Sequence, residues 1–274
     1  MKRVLLFDSG VGGLSVLDAI VAAGMAVELD YLADTAWLPY GLKADEDVAA
    51  RVPALIGAVA ADWAPDIVVI ACNTASTIAL AGTRAALPSI PVVGVVPPIK
   101  PAAAATKTGV IGLLATPATV RRAYTNELIA QFAADKIVVK VGSSALVAAA
   151  EAKLRGQIPD RASIDEAMAA MFGAPDGAAI DVVALSCTHF PLLGAELAGA
   201  APRPCLWVDS SAAIARRVRE LAQPQAGAAR AGRAAFTDAA SITALQGAFW
   251  DRGFTTYSRV SSAPHFSLAP VGAV

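Results

Sequence analysis

The chain has 274 residues, enough for one large domain or two small ones and for a core that needs no staples. Hydrophobic residues make up 56% and charged residues 16%, a balance that excludes a disordered chain. Lys+Arg 22 against Asp+Glu 23 leave a net charge of -1, so there is no basic excess to attract nucleic acid or an anionic membrane.

In chain order, an apolar run at Val4–Phe7 predicts a first strand, and Leu14–Ala23 a helix after it. Ala26–Leu32 reads as a strand, Asp45–Trp63 as a helix, Ile67–Ile70 as a strand, Thr77–Leu87 as a helix and Val92–Val96 as a strand. The pattern continues with strand Val110–Leu114, helix Pro117–Ala134, strand Ile137–Val141 and helix Ile164–Phe172. Strands Val182–Leu185 and Leu206–Val208 and a helix over Ala212–Leu221 follow. Gln223–Ala235, rich in Ala, Gly and Arg, reads as a surface loop or short helix.

Short, uniformly apolar runs fit strands covered on both faces, as in a parallel sheet. Their alternation with helices predicts an α/β fold, mainly parallel sheet flanked by helices. A single (β/α)8 barrel competes on element count alone. In either case ligand chemistry is expected at the carboxyl ends of strands.

One internal echo organises the chain. Asp66-Ile67-Val68-Val69-Ile70-Ala71-Cys72-Asn73-Thr74 resembles Asp181-Val182-Val183-Ala184-Leu185-Ser186-Cys187-Thr188-His189, at an offset of 115 residues (187 − 72). A weaker echo links Leu5–Ser9 to Leu206–Ser210. Repeats at this spacing predict two similar halves. The expected division is residues 1–98 plus 208–274 as a first, discontinuous α/β domain and residues 99–207 as a second. Pro97–Lys107 and Pro202–Cys205 read as the linkers.

Membrane insertion is not expected. The uncharged stretch Ile67–Thr83 contains Asn73, Thr74, Ser76 and Thr77, and Ala85–Ile99 contains four prolines. Asp8 interrupts the first apolar run too early for a signal-peptide core. Three cysteines are too few for a disulfide framework and fit a cytoplasmic setting.

A cysteine just past a strand end is most often a small buried hydrophobe. Cys72 and Cys187 differ in standing at equivalent points of two repeats, each among polar residues a core does not need. Cys205, between Pro204 and Leu206, reads as structural. There is no Cys-x-x-Cys, and only two histidines are present, which argues against a metal site. No motif calls for a pyridoxal phosphate lysine. His189, two residues after Cys187, is a suitable proton partner for it. Asp8 opens Asp8-Ser9-Gly10-Val11-Gly12-Gly13, either a site where backbone approaches a ligand closely or a helix cap. The glycines do not make the dinucleotide fingerprint.

Five stretches in register carry a likeness to a known family. They are Phe7–Val16, Ala33-Asp34-Thr35, Pro39-Tyr40-Gly41, Ala71–Ser76 and Cys187–Leu193. On these the chain resembles the glutamate racemases of the aspartate/glutamate racemase superfamily, from about Val4 to Ser211. The resemblance implies a cofactor-independent enzyme of two pseudo-symmetric α/β domains with the site in the cleft between them. It assigns Cys72 to proton abstraction from D-glutamate and Cys187 to abstraction from L-glutamate, with Asp8 assisting Cys72 and His189 assisting Cys187. Substrate contacts would fall on Asp8, Ser9, Tyr40, Gly41, Asn73, Thr74, Thr188 and His189, with Thr116 and Thr119 as further carboxylate contacts or as ordinary caps. The implied role is supply of D-glutamate for peptidoglycan, and a homodimer is the default assembly.

Two departures stand out. Val96-Pro97-Pro98 replaces the family's usual Glu-Pro, and Ser186 replaces the usual Gly before the second cysteine. Glu151 is similar in place to a family acidic residue near the cleft, but its Ala-rich surroundings equally allow a plain surface reading, and it is left outside the expected site. Competing readings are racemisation of aspartate or another amino acid, a cysteine hydrolase using Cys187 and His189, and a non-catalytic module that binds an acidic ligand.

Overall fold

A computed structural model describes residues 1–261 and 266–271. The chain divides into two compact units: residues 1–95 with 154–156 and 211–274, and residues 96–153 with 157–210. In the first unit lie β1 (Lys2–Asp8), α1 (Leu14–Ala22), β2 (Val27–Ala33), α2 (Asp45–Trp63), β3 (Ile67–Ile70), α3 (Asn73–Ala86) and β4 (Val92–Gly94). The second holds α4 (Ile99–Ala105), β5 (Val110–Ala115), α5 (Pro117–Arg121), α6 (Ala123–Phe132), β6 (Ile137–Gly142) and α7 (Ala145–Leu154). It continues with α8 (Arg161–Phe172), β7 (Val182–Leu185), α9 (Gly194–Ala200) and β8 (Leu206–Val208). The chain then returns to the first unit as α10 (Ser211–Ala222), β9 (Arg230–Phe236), α11 (Ala239–Trp250), β10 (Thr256–Ser261) and β11 (Ser267–Val271).

The first sheet runs β11-β10-β9-β2-β1-β3-β4 and is parallel except for the β10–β11 pair. The second runs β6-β5-β7-β8 and is wholly parallel. This is the expected α/β class, with two open sheets in place of the closed barrel that element count allowed.

Strand β1 shows why its run is uniformly apolar. Side chains alternate across the sheet, so Val4 and Leu6 enter one buried cluster with residues of α1, α10 and α11, while Leu5 and Phe7 enter another with residues of α2 and α3. In β3 the same division places Ile67 and Val69 on one face and Val68 and Ile70 on the other. Truncating any of these to alanine opens a cavity worth about 2–5 kcal/mol.

Several boundaries differ from expectation for local reasons. Helix α3 begins at Asn73, not Thr77, because the Cys72 side chain caps it. The predicted helix 117–134 is two helices, since Arg122 takes an extended conformation between them. Residues 99–105, read as linker, form α4. Residues 230–236, read as loop or short helix, form β9, a central strand pairing in parallel with β2 and β10. Helix α2 behaves as its sequence indicates. Asp45, Glu46 and Asp47 meet its positive end, and Ala64 ends it in the left-handed conformation ahead of Pro65. Among the described residues, no helix is long and apolar enough to cross a membrane.

Both sheets have a topological switch point. From β1 the chain crosses to β2 on one side, then to β3 on the other. From β5 it crosses to β6 on one side, then to β7 on the other. In open α/β sheets, crevices for ligands form at the carboxyl ends of such strands.

Candidate functional site

In the first unit, Asp8 ends β1 and Cys72 follows β3, so the two stand on the adjacent strands of the switch point. Asp8 is fully buried, and its carboxylate accepts from the Ser9 N–H at 2.8 Å and the Gly13 N–H at 2.9 Å. That pairing draws the loop between β1 and α1 tightly round the side chain. It brings Ser9 Oγ to 3.5 Å from Cys72 Sγ, a hydrogen bond in which either group can donate. The Ala75 N–H in the first turn of α3 also donates to the sulfur at 3.5 Å. A charged sulfur here would meet the positive end of a helix dipole and an oriented N–H.

Gly13 allows this closeness. A Cβ there would lie 2.7 Å from Tyr31 Oη, 2.9 Å from Ala71 Cβ and 3.2 Å from Asp8 Cβ. Gly13→Ala is therefore expected to destabilise the protein by about 1–3 kcal/mol. A urea titration should show a lower midpoint at unchanged slope; an unchanged midpoint would show that the loop yields without cost.

Tyr40 packs with Phe7 and Cys72 in one apolar cluster, and its hydroxyl donates to Asp34 at 2.5 Å. Burial first, then the neighbouring Asp34 charge, push its phenol well above the ordinary value. Its proton is thus committed to Asp34. Asn73 and Thr74 open α3 and are both buried, and Asn73 Oδ1 has no hydrogen-bond partner among the described residues. Gly41 lies in the short turn Tyr40–Leu42.

In the second unit, Cys187 follows β7 beside β5, the equivalent position. Cys187 Sγ lies 3.8 Å from His189 Nδ1, and His189 Nε2 lies 3.0 Å from Glu151 Oε1. Both His189 and Glu151 are buried. Glu151, left outside the expected site, is thus the residue that orients the histidine. It comes from α7, as does Lys153, which donates to the Leu192 carbonyl at 2.9 Å and pairs with Glu196 at 2.6 Å. One helix therefore fixes both the histidine and the turn after it. Thr188 is buried beside them. Thr116 caps α5 by accepting from the Thr119 N–H at 3.3 Å, and the two threonine hydroxyls lie 3.0 Å apart. Thr116 is thus the N-cap of α5, with Thr119 as its partner in the first turn.

Cys72 and Cys187 are both buried, and each sulfur has polar neighbours. Ser186 is fully buried, and its hydroxyl has no hydrogen-bond partner among the described residues. Pro97 lies in the link to α4, where its carbonyl accepts from the Ile99 N–H at 2.8 Å. None of the three cysteines is in a disulfide, and among the described residues no group of three or more His, Cys, Asp or Glu gathers to hold a metal.

The geometry first defines a class: an α/β protein whose two open sheets each present a thiol, with polar partners, at the switch point. Comparisons narrow it. The Asp/Glu/hydantoin racemase family matches residues 12–218. The glutamate racemase of Sphingopyxis alaskensis is 52% identical over 236 residues, covering 85% of this chain and 88% of the relative. That of Brucella canis is 46% identical over 220 residues, covering 80% and 79%. The structure of Escherichia coli glutamate racemase in complex with L-glutamate and the activator UDP-MurNAc-Ala superposes with a TM-score of 0.87 at 39% identity, covering 99% of both chains. The chain belongs to the Asp/Glu/hydantoin racemase family.

Proposed function

We propose that the protein interconverts L- and D-glutamate by two-thiol proton transfer without a cofactor. The observation that carries this reading is the duplication: each unit holds one cysteine past the same kind of strand, each with its own polar partners. Identity of 52% to a glutamate racemase over most of the chain supports glutamate as the substrate. The same reading has the product serve peptidoglycan synthesis, in a cytoplasmic homodimer.

Inverting Cα means removing a proton from one face and supplying one to the other. In the L-to-D direction the Cys187 thiolate takes the Cα proton and becomes a thiol. The resulting carbanion, delocalised into its carboxylate, takes a proton from the Cys72 thiol, which becomes a thiolate. No oxidant or reductant enters, and the two sulfurs exchange roles for the return reaction. His189, held by Glu151, moves the Cys187 proton. Asp8 acts on Cys72 by fixing the loop that carries Ser9. The Cα proton is weakly acidic, so oriented donors and a site closed to water must stabilise the developing charge.

The test is incubation of the purified protein with L-glutamate in D2O, with no added cofactor. The expected result is loss of optical activity with one deuteron placed at Cα. A second reading has one specific observation in its favour, the Cys187–His189–Glu151 series, which has the connectivity of a cysteine-hydrolase triad. Cleavage of an amide or ester with the Cα hydrogen retained would select it. Faster turnover of L-aspartate than of L-glutamate would move the substrate assignment within the family.

A further inference from the structure

Asp34 follows β2 directly, one residue past Ala33, the register partner of Asp8 at the end of β1, and its N–H donates to the Asp8 carbonyl at 2.9 Å. Asp34 is fully buried and accepts from three side chains, Tyr40, Arg51 and Thr237. Arg51 on α2 grips it with Nε at 2.6 Å and Nη2 at 2.7 Å. Tyr40 donates its hydroxyl, and Thr237, just after β9, donates its own at 2.8 Å. The Thr237 hydroxyl also accepts from the Ala36 N–H at 3.0 Å. Arg51 also lies over two rings, its guanidinium carbon 4.4 Å from the Trp37 ring centre and 5.1 Å from that of Phe266. Burial alone would lower its pKa, yet the bonds and charge of Asp34 raise it, so it stays charged.

Such a network does not follow from stability. A buried ion pair often contributes no more than well-packed hydrophobes of the same volume, and in some proteins such pairs serve to specify geometry. What this one specifies is the stretch from Asp34 to Leu42. That stretch is pinned at Asp34 by Arg51, at Ala36 by Thr237, and at Tyr40 by Asp34. Its end closes with Leu42 N–H to Pro39 O at 3.2 Å and Lys43 N–H to Tyr40 O at 3.1 Å.

We propose that Arg51 is a positioning residue for substrate binding: through Asp34 it holds the Tyr40–Gly41 turn in the conformation that receives the substrate. The proposal rests on the racemase reading, in which that turn contacts glutamate. Arg51 touches no reacting atom. Its fork matches a carboxylate on two bonds at once, which a lysine ammonium cannot reproduce.

The test compares the parent protein with Arg51→Met, Arg51→Lys and Tyr40→Phe in glutamate racemisation and in amide hydrogen exchange over residues 38–43. Arg51→Met should raise KM about tenfold or more while kcat stays within about threefold, the signature of lost binding geometry rather than lost chemistry. Exchange over 38–43 should quicken about tenfold, since the turn then opens locally. Arg51→Lys should fall between the two, and Tyr40→Phe should raise KM by about threefold, the scale of one modest hydrogen bond. Should Arg51→Met fail to fold, the other two variants carry the same comparison. Unchanged KM and unchanged exchange in an active enzyme would overturn the proposal, as would an equal loss of kcat with KM constant. If the parent protein turns over no glutamate, the racemase reading fails, and the exchange measurement alone still decides whether Arg51 holds the turn.

Discussion

Replacing Cys72 or Cys187 by alanine should stop racemisation of glutamate in both directions. A positioned acid–base group contributes on the order of 10²–10⁴-fold to rate. In the two-thiol scheme proposed above each sulfur also determines which face of Cα gains a proton, so no neighbour can substitute for it. The loss should therefore reach the limit of detection in a chiral assay. The two variants should still differ in one respect. With Cys187→Ala, the Cys72 thiolate can take the proton from D-glutamate and return a solvent-derived one to the same face. That variant should wash deuterium into D-glutamate without inverting it and leave L-glutamate untouched. Cys72→Ala should do the reverse. Proton NMR in D2O read beside chiral chromatography separates exchange from inversion. Full racemisation by either variant would end the two-thiol scheme.

The second large effect concerns His189 and Glu151, the pair proposed to serve Cys187. His189→Asn should lower kcat/KM by about 10²-fold, within the range for a positioned proton-transfer group. Glu151→Gln should cost about tenfold, because the imidazole keeps its place but loses the carboxylate that orients its far nitrogen. The equilibrium constant of a racemisation is unity, so kcat/KM must fall equally in the two directions for any variant. Isotope effects escape that constraint. Slowing proton transfer at Cys187 makes its step limiting when L-glutamate is the substrate, so the primary effect of 2-deuterated L-glutamate on kcat/KM should rise. From the D side, abstraction by Cys72 is then followed by a slower step, and the corresponding effect should fall. Equal changes in both isotope effects would show that His189 and Glu151 do not serve one sulfur.

The sheet cores were the most legible part of the molecule in sequence. The runs at 4–7, 67–70 and 182–185 are apolar without a break because both their faces are covered, and only a parallel sheet between helices asks for that. Strand β9 went unread because Arg230-Ala-Gly-Arg-Ala-Ala has little strand propensity of its own. It is a strand because Phe236 joins the core and Arg233 pairs with buried Asp30, with Nη2 3.0 Å from Oδ2. The start of α3 was misplaced because Asn73, Thr74 and Ser76 have loop-like composition, while the cap that decides the matter is a sulfur.

The site shows the same division between local and long-range information. Both cysteines and their immediate neighbours could be singled out as candidates, since the repeat marks them and the chemistry proposed for them is local in sequence. Glu151 could not be separated from its Ala-rich helix, because its partner lies 38 residues away. Arg51 sits behind the acidic run Asp45-Glu46-Asp47, which suggests a solvated helix end. Its partner Asp34 lies 17 residues earlier, on a different element.

The connectivity of the first sheet also orders events at the ribosome. Strand β2 finds its second neighbour only when β9 appears, some 200 residues later, and in the interval every strand of the inserted unit has been made. A nascent chain therefore holds all the material of its later unit while the host sheet still shows an open, apolar flank at β2. Translation that halts before residue 230 leaves that flank bare, which makes the final stretch of this chain a shield against strand-to-strand aggregation.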